Sequence, residues 1–169
     1  MLTQINSPAA NPLLDRERVR TWRHGVIEVS RGRPVIIRPL AMGRSASLLE
    51  IWLLGRRFHR RSTGDRCYLY YSQPRRSPNF LALKYLLSTH DCTPKMVRAA
   101  LAALDRVAEI KGSDAIVCDV WNWRISDRLL AREGWQAHCS MRWHRNYIKR
   151  FYGDYSGVKR PDMATMESA

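Results

Sequence analysis

The chain has 169 residues, of which 45% are hydrophobic and 26% charged, proportions suited to one folded domain with a single core. No stretch approaches the roughly twenty consecutive apolar residues that cross a bilayer. Residues 1–14 lack the basic cluster and apolar core of a signal peptide, so a cytoplasmic location is expected. The four cysteines, Cys67, Cys92, Cys118 and Cys139, have no Cys-x-x-Cys spacing, which argues against a zinc site or a disulfide framework.

The formal net charge is +14, carried by 24 arginines and only 5 lysines among the basic residues. It is unevenly distributed: residues 16–76 hold 15 arginines against 4 acids, a net of +11. Such a field concentrates anionic partners, whether nucleic acid, an acidic protein or a phosphorylated cofactor.

The elements follow in chain order. Residues 1–14 and 156–169, rich in small and polar residues without periodicity, are expected to be disordered tails around a domain at 15–155. Residues 26–29 and 34–38 are strand candidates on either side of the turn-like Ser30-Arg31-Gly32-Arg33, which suggests a hairpin. Residues 45–59, with Leu48, Leu49, Ile51, Trp52, Leu53, Leu54 and Phe58, predict a helix. Arg56, Arg57, Arg60 and Arg61 gather at its C-terminal end, where cations meet the negative helix pole. Residues 66–72 and 80–88 are rich in Tyr, Leu and Phe, and Pro74 and Pro78 mark the segment between them as a turn, so an antiparallel pair is expected.

Thr93 then serves as a helix N-cap and Pro94 as the first helical residue, where its missing N–H costs nothing. Met96, Val97, Ala100, Leu101, Leu104, Val107 and Ala108 make one apolar stripe, and Gly112 ends the helix. Residues 114–121 predict a central strand, parallel to 80–88 through a right-handed crossover. A short helix over 126–133 closes at Gly134, and residues 136–138 and 146–152 predict late strands that finish the sheet.

Two pieces of this order carry a family likeness. Ile36-Ile37-Arg38-Pro39-Leu40 ahead of a Leu-rich helix is one. The other is the run 117–120 with Asn122, Leu129-Leu130 and Gly134-Trp135. Over residues 34–152 the chain resembles the GNAT family of acyl-CoA-dependent N-acyltransferases. The resemblance implies an α/β (α+β) fold, a mixed central sheet flanked by helices in one domain. It also implies acetyl-CoA or another acyl-CoA as cofactor and an amine, small-molecule or protein, as acceptor.

In that family acyl-CoA lies where the strands flanking the long helix splay apart, and a glycine-rich turn holds its diphosphate at the helix N-terminus. The resemblance therefore places the cofactor beside Ser88, Thr89, Thr93, Lys95, Met96 and Asn122. The turn here, Ser88-Thr89-His90-Asp91-Cys92-Thr93, contains no glycine and carries Asp91. The family's proton-donating tyrosine, four residues before the closing glycine, is replaced by Leu130. Tyr147 and Tyr152 are then the substitute acids, and Tyr147 is the candidate carried forward. His90, nearest the expected cleft, is the candidate base by its unperturbed pKa, with His59 and His138 as further histidines.

Another reading keeps the scaffold without the chemistry. Arg56, Arg57, Arg60, Arg61, Arg75 and Arg76, together with Arg142-Trp143-His144-Arg145, mix cations with aromatics in a composition suited to phosphate contacts and base stacking on nucleic acid. A protein-interaction domain, with Trp22, Trp123 and Trp143 at an interface, is the third.

Overall fold

A computed structural model describes residues 15–40, 64–120, 126–139 and 145–158. The expected helix over 45–59 with its four arginines, Asn122, Trp123, Trp143 and residues 1–14 and 159–169 lie outside the described residues.

The described elements are α1 (Arg16–Thr21), β1 (His24–Ser30), β2 (Ile36–Pro39), β3 (Arg66–Ser72), β4 (Phe80–Ser88), α2 (Pro94–Lys111), β5 (Ala115–Val120), α3 (Asp127–Arg132), β6 (Gln136–Ala137) and β7 (Arg145–Arg150). Seven strands form one mixed sheet in the order β2-β1-β3-β4-β5-β7-β6. All neighbours are antiparallel except β4 and β5, which the α2 crossover makes parallel. The architecture is the mixed α/β sheet with flanking helices that the element order implied.

The β1–β2 hairpin forms with Ile27 opposite Ile37 and Glu28 opposite Ile36. It puts β2 at the sheet edge and β1 between β2 and β3, so the strand that carries the family likeness is preceded by one inserted inside it.

Strand alternation divides the sheet into two faces. Ile27, Val29, Ile37, Cys67, Leu69, Tyr71, Leu81, Ile116 and Cys118 point to the face that carries α2 and share one hydrophobic core with it. Met96, Ala100, Leu101, Leu104, Val107 and Ala108 bury the predicted stripe against β1, β3 and β5, while Val97 packs only at its margin. Gly112 ends the helix at φ 63°, a left-handed conformation that glycine adopts without strain, and Ser113 N–H closes back to Ala108 O at 2.9 Å. Val19, fully buried, anchors α1 on α2. Sequence periodicity does not register that helix, because one apolar residue in six makes no stripe. Val158, assigned to the C-terminal tail from sequence, packs against the core, and Tyr155 beside it donates its hydroxyl to Ser113 O at 2.8 Å.

Candidate functional site

The feature that positions a site is where β4 and β5 part. They pair from Phe80–Ala115 to Leu83–Cys118, and among the described residues no further pair joins them. Each strand nevertheless continues on its other side: β4 stays paired with β3 as far as Ser88–Cys67, and β5 with β7 as far as Val120–Arg145. The gap that opens has Lys84 to Ser88 as one wall and Asp119 and Val120 as the other. A cause lies at the same point. Tyr70 pairs with Tyr85 but Tyr71 with Leu83, so Lys84 is an extra residue in β4. Such a bulge bends and twists its strand, and it falls where the pairing with β5 ends. Nothing in the composition of 80–88 announces it.

At the end of the β4 wall the chain turns into α2. Thr89 is 1% exposed and its hydroxyl is committed to the protein. It donates to Gly64 O at 2.5 Å and accepts from Arg66 N–H at 3.2 Å, which ties the end of β4 to the start of β3. Thr93 occupies the N-cap position, but its side chain makes no capping bond to its own helix. Instead its N–H and hydroxyl both donate to the Asp65 carboxylate, at 2.8 and 3.0 Å. Pro94 has no N–H, and Met96 and Val97 N–H both donate to Thr93 O. Met96 itself is 3% exposed in the core. Lys95 is exposed and Ser88 half-buried. His90 is exposed beside Asp91, with Nδ1 and Oδ1 3.2 Å apart. On the β3 side of this turn lies an open cavity of about 510 Å³, bordered by Arg31, Arg33 and Arg66 opposite Asp65, Asp91 and Thr93.

Tyr147 belongs to the other wall. It is the β7 partner of Cys118, so Leu83, Cys118 and Tyr147 form one cross-strand row that ends the β4–β5 pairing. Tyr147 is buried at 4% exposure and its hydroxyl donates to Asp127 Oδ1 at 2.6 Å. Arg145 donates to the same oxygen at 2.6 Å. Asp127 opens α3, which Ser126 caps, its Oγ accepting from Leu129 N–H at 3.2 Å. Burial, then the Asp127 hydrogen bond, raises the Tyr147 pKa above the ordinary phenol value, while the Tyr147 hydrogen bond and Arg145 lower that of Asp127. Leu130, at the family's acid position, is a 6%-exposed core contact. His138, next to the Tyr147 partner Ala137, and Tyr152, whose N–H donates to Asp114 O at 3.2 Å, are both exposed.

The opposite face of the sheet carries a polar and aromatic group that sequence reading missed. Glu28 accepts from the Tyr68 hydroxyl at 3.3 Å and faces Arg38 at 3.8 Å, and Tyr70 meets Tyr85 edge to face at 6.3 Å. Glu28 and Tyr68 are 40 residues apart, and only the β1–β3 register brings them together.

No metal-ligating cluster of His, Cys, Asp and Glu occurs among the described residues, and no described helix is long and apolar enough to cross a membrane. No protein-family model matches the chain, and no curated protein matches it in sequence. In structure the chain is similar to solved proteins, two of which follow. One is a Desulfovibrio desulfuricans protein assigned to the GNAT family of acetyltransferases. It is 15% identical at a TM-score of 0.45, with 50% of this chain and 60% of that one covered. The other is nourseothricin acetyltransferase, 10% identical at a TM-score of 0.42, with 85% of this chain and 96% of that one covered.

Proposed function

We propose that this chain transfers an acyl group from acyl-CoA to an amine, with the thioester arm seated in the gap between β4 and β5. The observation that carries the reading is the parting after Leu83–Cys118 with the Lys84 bulge at the same place. A strand that leaves its neighbour presents backbone N–H and C=O groups toward the gap, and an extended amide-bearing chain can take the place of the missing strand. Acetyl-CoA is the simplest such donor.

The gap suits the pantetheine half better than the helix N-terminus suits the diphosphate. Asp65 takes the Thr93 N–H, Pro94 has none, and Met96 and Val97 donate within the turn. Phosphate binding would then fall to side chains, the Lys95 ammonium and the Ser88 hydroxyl, joined by Asn122, which the resemblance implies and which lies outside the described residues. Thr89, Thr93 and Met96 contribute by holding the turn in place.

In the reaction, the amine nitrogen attacks the thioester carbonyl carbon, the C–S bond breaks, and the leaving thiolate takes a proton. Tyr147 is the donor of choice on this wall, because its phenol belongs to the Leu83–Cys118–Tyr147 row where the β4–β5 pairing ends. His90 is the candidate to accept the ammonium proton on the other wall.

Isothermal titration of acetyl-CoA into the full chain tests the reading, followed by thiol release in the presence of an amine panel. Saturable heat and amine-dependent thiol release are expected. Absence of heat and of any thermal shift at about millimolar ligand would overturn it. A second reading has its own support, since Arg75 and Arg76 are exposed in the β3–β4 hairpin. With Arg56, Arg57, Arg60 and Arg61 they would bind nucleic acid, and filter binding at two ionic strengths would show a steep loss of affinity with salt.

A further inference from the structure

The open cavity of about 510 Å³ on the β3 side of the turn into α2 is framed by three segments that are tied to one another. Ser30 at the end of β1 is the sheet partner of Arg66 at the start of β3, and Arg31 N–H donates to Asp65 O at 3.1 Å. The Asp65 carboxylate in turn holds Thr93 by bonds of 2.8 and 3.0 Å. β4, still paired with β3 as far as Ser88, stands between this cavity and the β4–β5 gap.

The lining has two sides. Arg31, Arg33 and Arg66 supply three guanidiniums, and Asp65 and Asp91 supply two carboxylates. The acids are engaged within the chain, Asp65 on Thr93 and Asp91 Oδ1 at 3.2 Å from His90 Nδ1. Arg33 and Arg66 form no ion pair among the described residues. Ser30 gives an independent sign. It borders the same cavity at 5% exposure, and its hydroxyl has no hydrogen-bond partner. Buried hydroxyls are normally paired, so an unpaired one beside free cations points to a ligand oxygen as the missing acceptor.

We propose that this cavity binds a sugar phosphate, either free or as part of a nucleotide. The phosphate takes the arginine side, where planar guanidiniums meet its oxygens in pairs and the Ser30 hydroxyl donates one more bond. The sugar hydroxyls take the acid side and donate to Asp91 and Asp65. A bare anion would face those two carboxylates directly, whereas a ligand that places hydroxyls between its phosphate and the acids turns the repulsion into hydrogen bonds. A cationic ligand would meet three arginines. The volume is ordinary for small-molecule sites, which run from roughly 300 to 1,000 Å³. The proposal stands apart from acyl transfer, because the cavity and the gap lie on opposite sides of β4.

The test is isothermal titration of the full chain at low ionic strength with AMP, ribose 5-phosphate and inorganic phosphate, repeated in the presence of millimolar acetyl-CoA. At least one of the two sugar phosphates is expected to bind at one site, about tenfold or more tighter than inorganic phosphate, and to keep its affinity when acetyl-CoA is present. Which of the two binds more tightly distinguishes the nucleotide from the free sugar phosphate. Arg33→Gln, on an exposed turn, should weaken binding about tenfold, the usual effect of losing a hydrogen bond to a charged group. Ser30→Ala should also weaken it, while the unliganded chain melts no lower because only an unpaired hydroxyl is removed. Asp91→Ala should reduce the preference over inorganic phosphate. No binding by either sugar phosphate, inorganic phosphate binding as tightly as they do, or their displacement by acetyl-CoA would overturn the proposal. Should Ser30→Ala fail to fold, the ligand series and Arg33→Gln decide alone.

Discussion

The carboxylate of Asp65 takes both polar hydrogens of Thr93, the backbone N–H at 2.8 Å and the hydroxyl at 3.0 Å. The positive pole of α2 is thus met by an anion from the end of the β2–β3 connection, 28 residues earlier in the chain. The glycine-free turn makes sense in this light. A glycine would serve the close approach of an outside anion, and here the anion is a side chain.

Replacing that carboxylate should have two opposite effects. Asp65→Ala should lower stability by about 1 kcal/mol, the usual cost of a lost helix cap, read as a shift in the urea midpoint. Asp65→Asn should keep much of the bonding while removing the charge. If acyl-CoA phosphates approach this helix end, its affinity should rise about two- to fivefold, in line with roughly 0.5–1 kcal/mol for a charge at a helix terminus. Unchanged titration curves would separate Asp65 from the phosphates.

Lys149 and Asp105 form an ion pair at 2.7 Å with side chains only 16% and 8% exposed, and Lys149 also donates to Glu133 O at 2.7 Å. Breaking such a pair strands a buried charge. Lys149→Met should cost about 3–5 kcal/mol, and the double replacement Asp105→Leu/Lys149→Met should recover most of it. Chemical denaturation of the parent chain, Lys149→Met, Asp105→Leu and the double variant closes the cycle, and equal losses in Lys149→Met and the double variant would contradict the pairing.

Gly25 leaves room in β1 for a neighbour. A Cβ there would stand 2.6 Å from the Tyr71 hydroxyl oxygen and 2.7 Å from its ring, and Tyr71 is only 2% exposed with no room to move aside. Gly25→Ala should destabilise by about 1–3 kcal/mol through overpacking. Adding Tyr71→Val should rescue part of that loss in thermal melts, since the clash lies with the ring.

Lys111 responds to pH. Burial, and then Arg23, lowers its pKa to about 8 in the folded chain, where its ammonium donates to Arg20 O at 3.0 Å. Below pH 8 it is protonated in both states and the folded chain bears the cost of a half-buried charge. Between about pH 8 and the ordinary lysine pKa near 10.4, the unfolded chain binds more protons, so this group makes stability rise with pH. The urea midpoint should climb over pH 8–10, and the climb should be smaller in Lys111→Met. Equal slopes would place the titration elsewhere.

The sequence by itself determined the elements whose signals are local. β3 and β4 run over 66–72 and 80–88 as read from their Tyr- and Leu-rich runs and the prolines between them, and α2 spans Pro94–Lys111 between Thr93 and Gly112. Caps, turns and apolar period act over a few residues, so one segment contains the whole message. The parallel β4–β5 crossover followed from lengths alone. What only the tertiary structure decided are pairings between distant residues: the Lys84 bulge that parts β4 from β5, Glu28 against Tyr68, Asp65 on Thr93, and Lys149 on Asp105 across 44 residues. Each depends on which strands become neighbours and in what register. The gap proposed to hold the acyl donor is made of those choices.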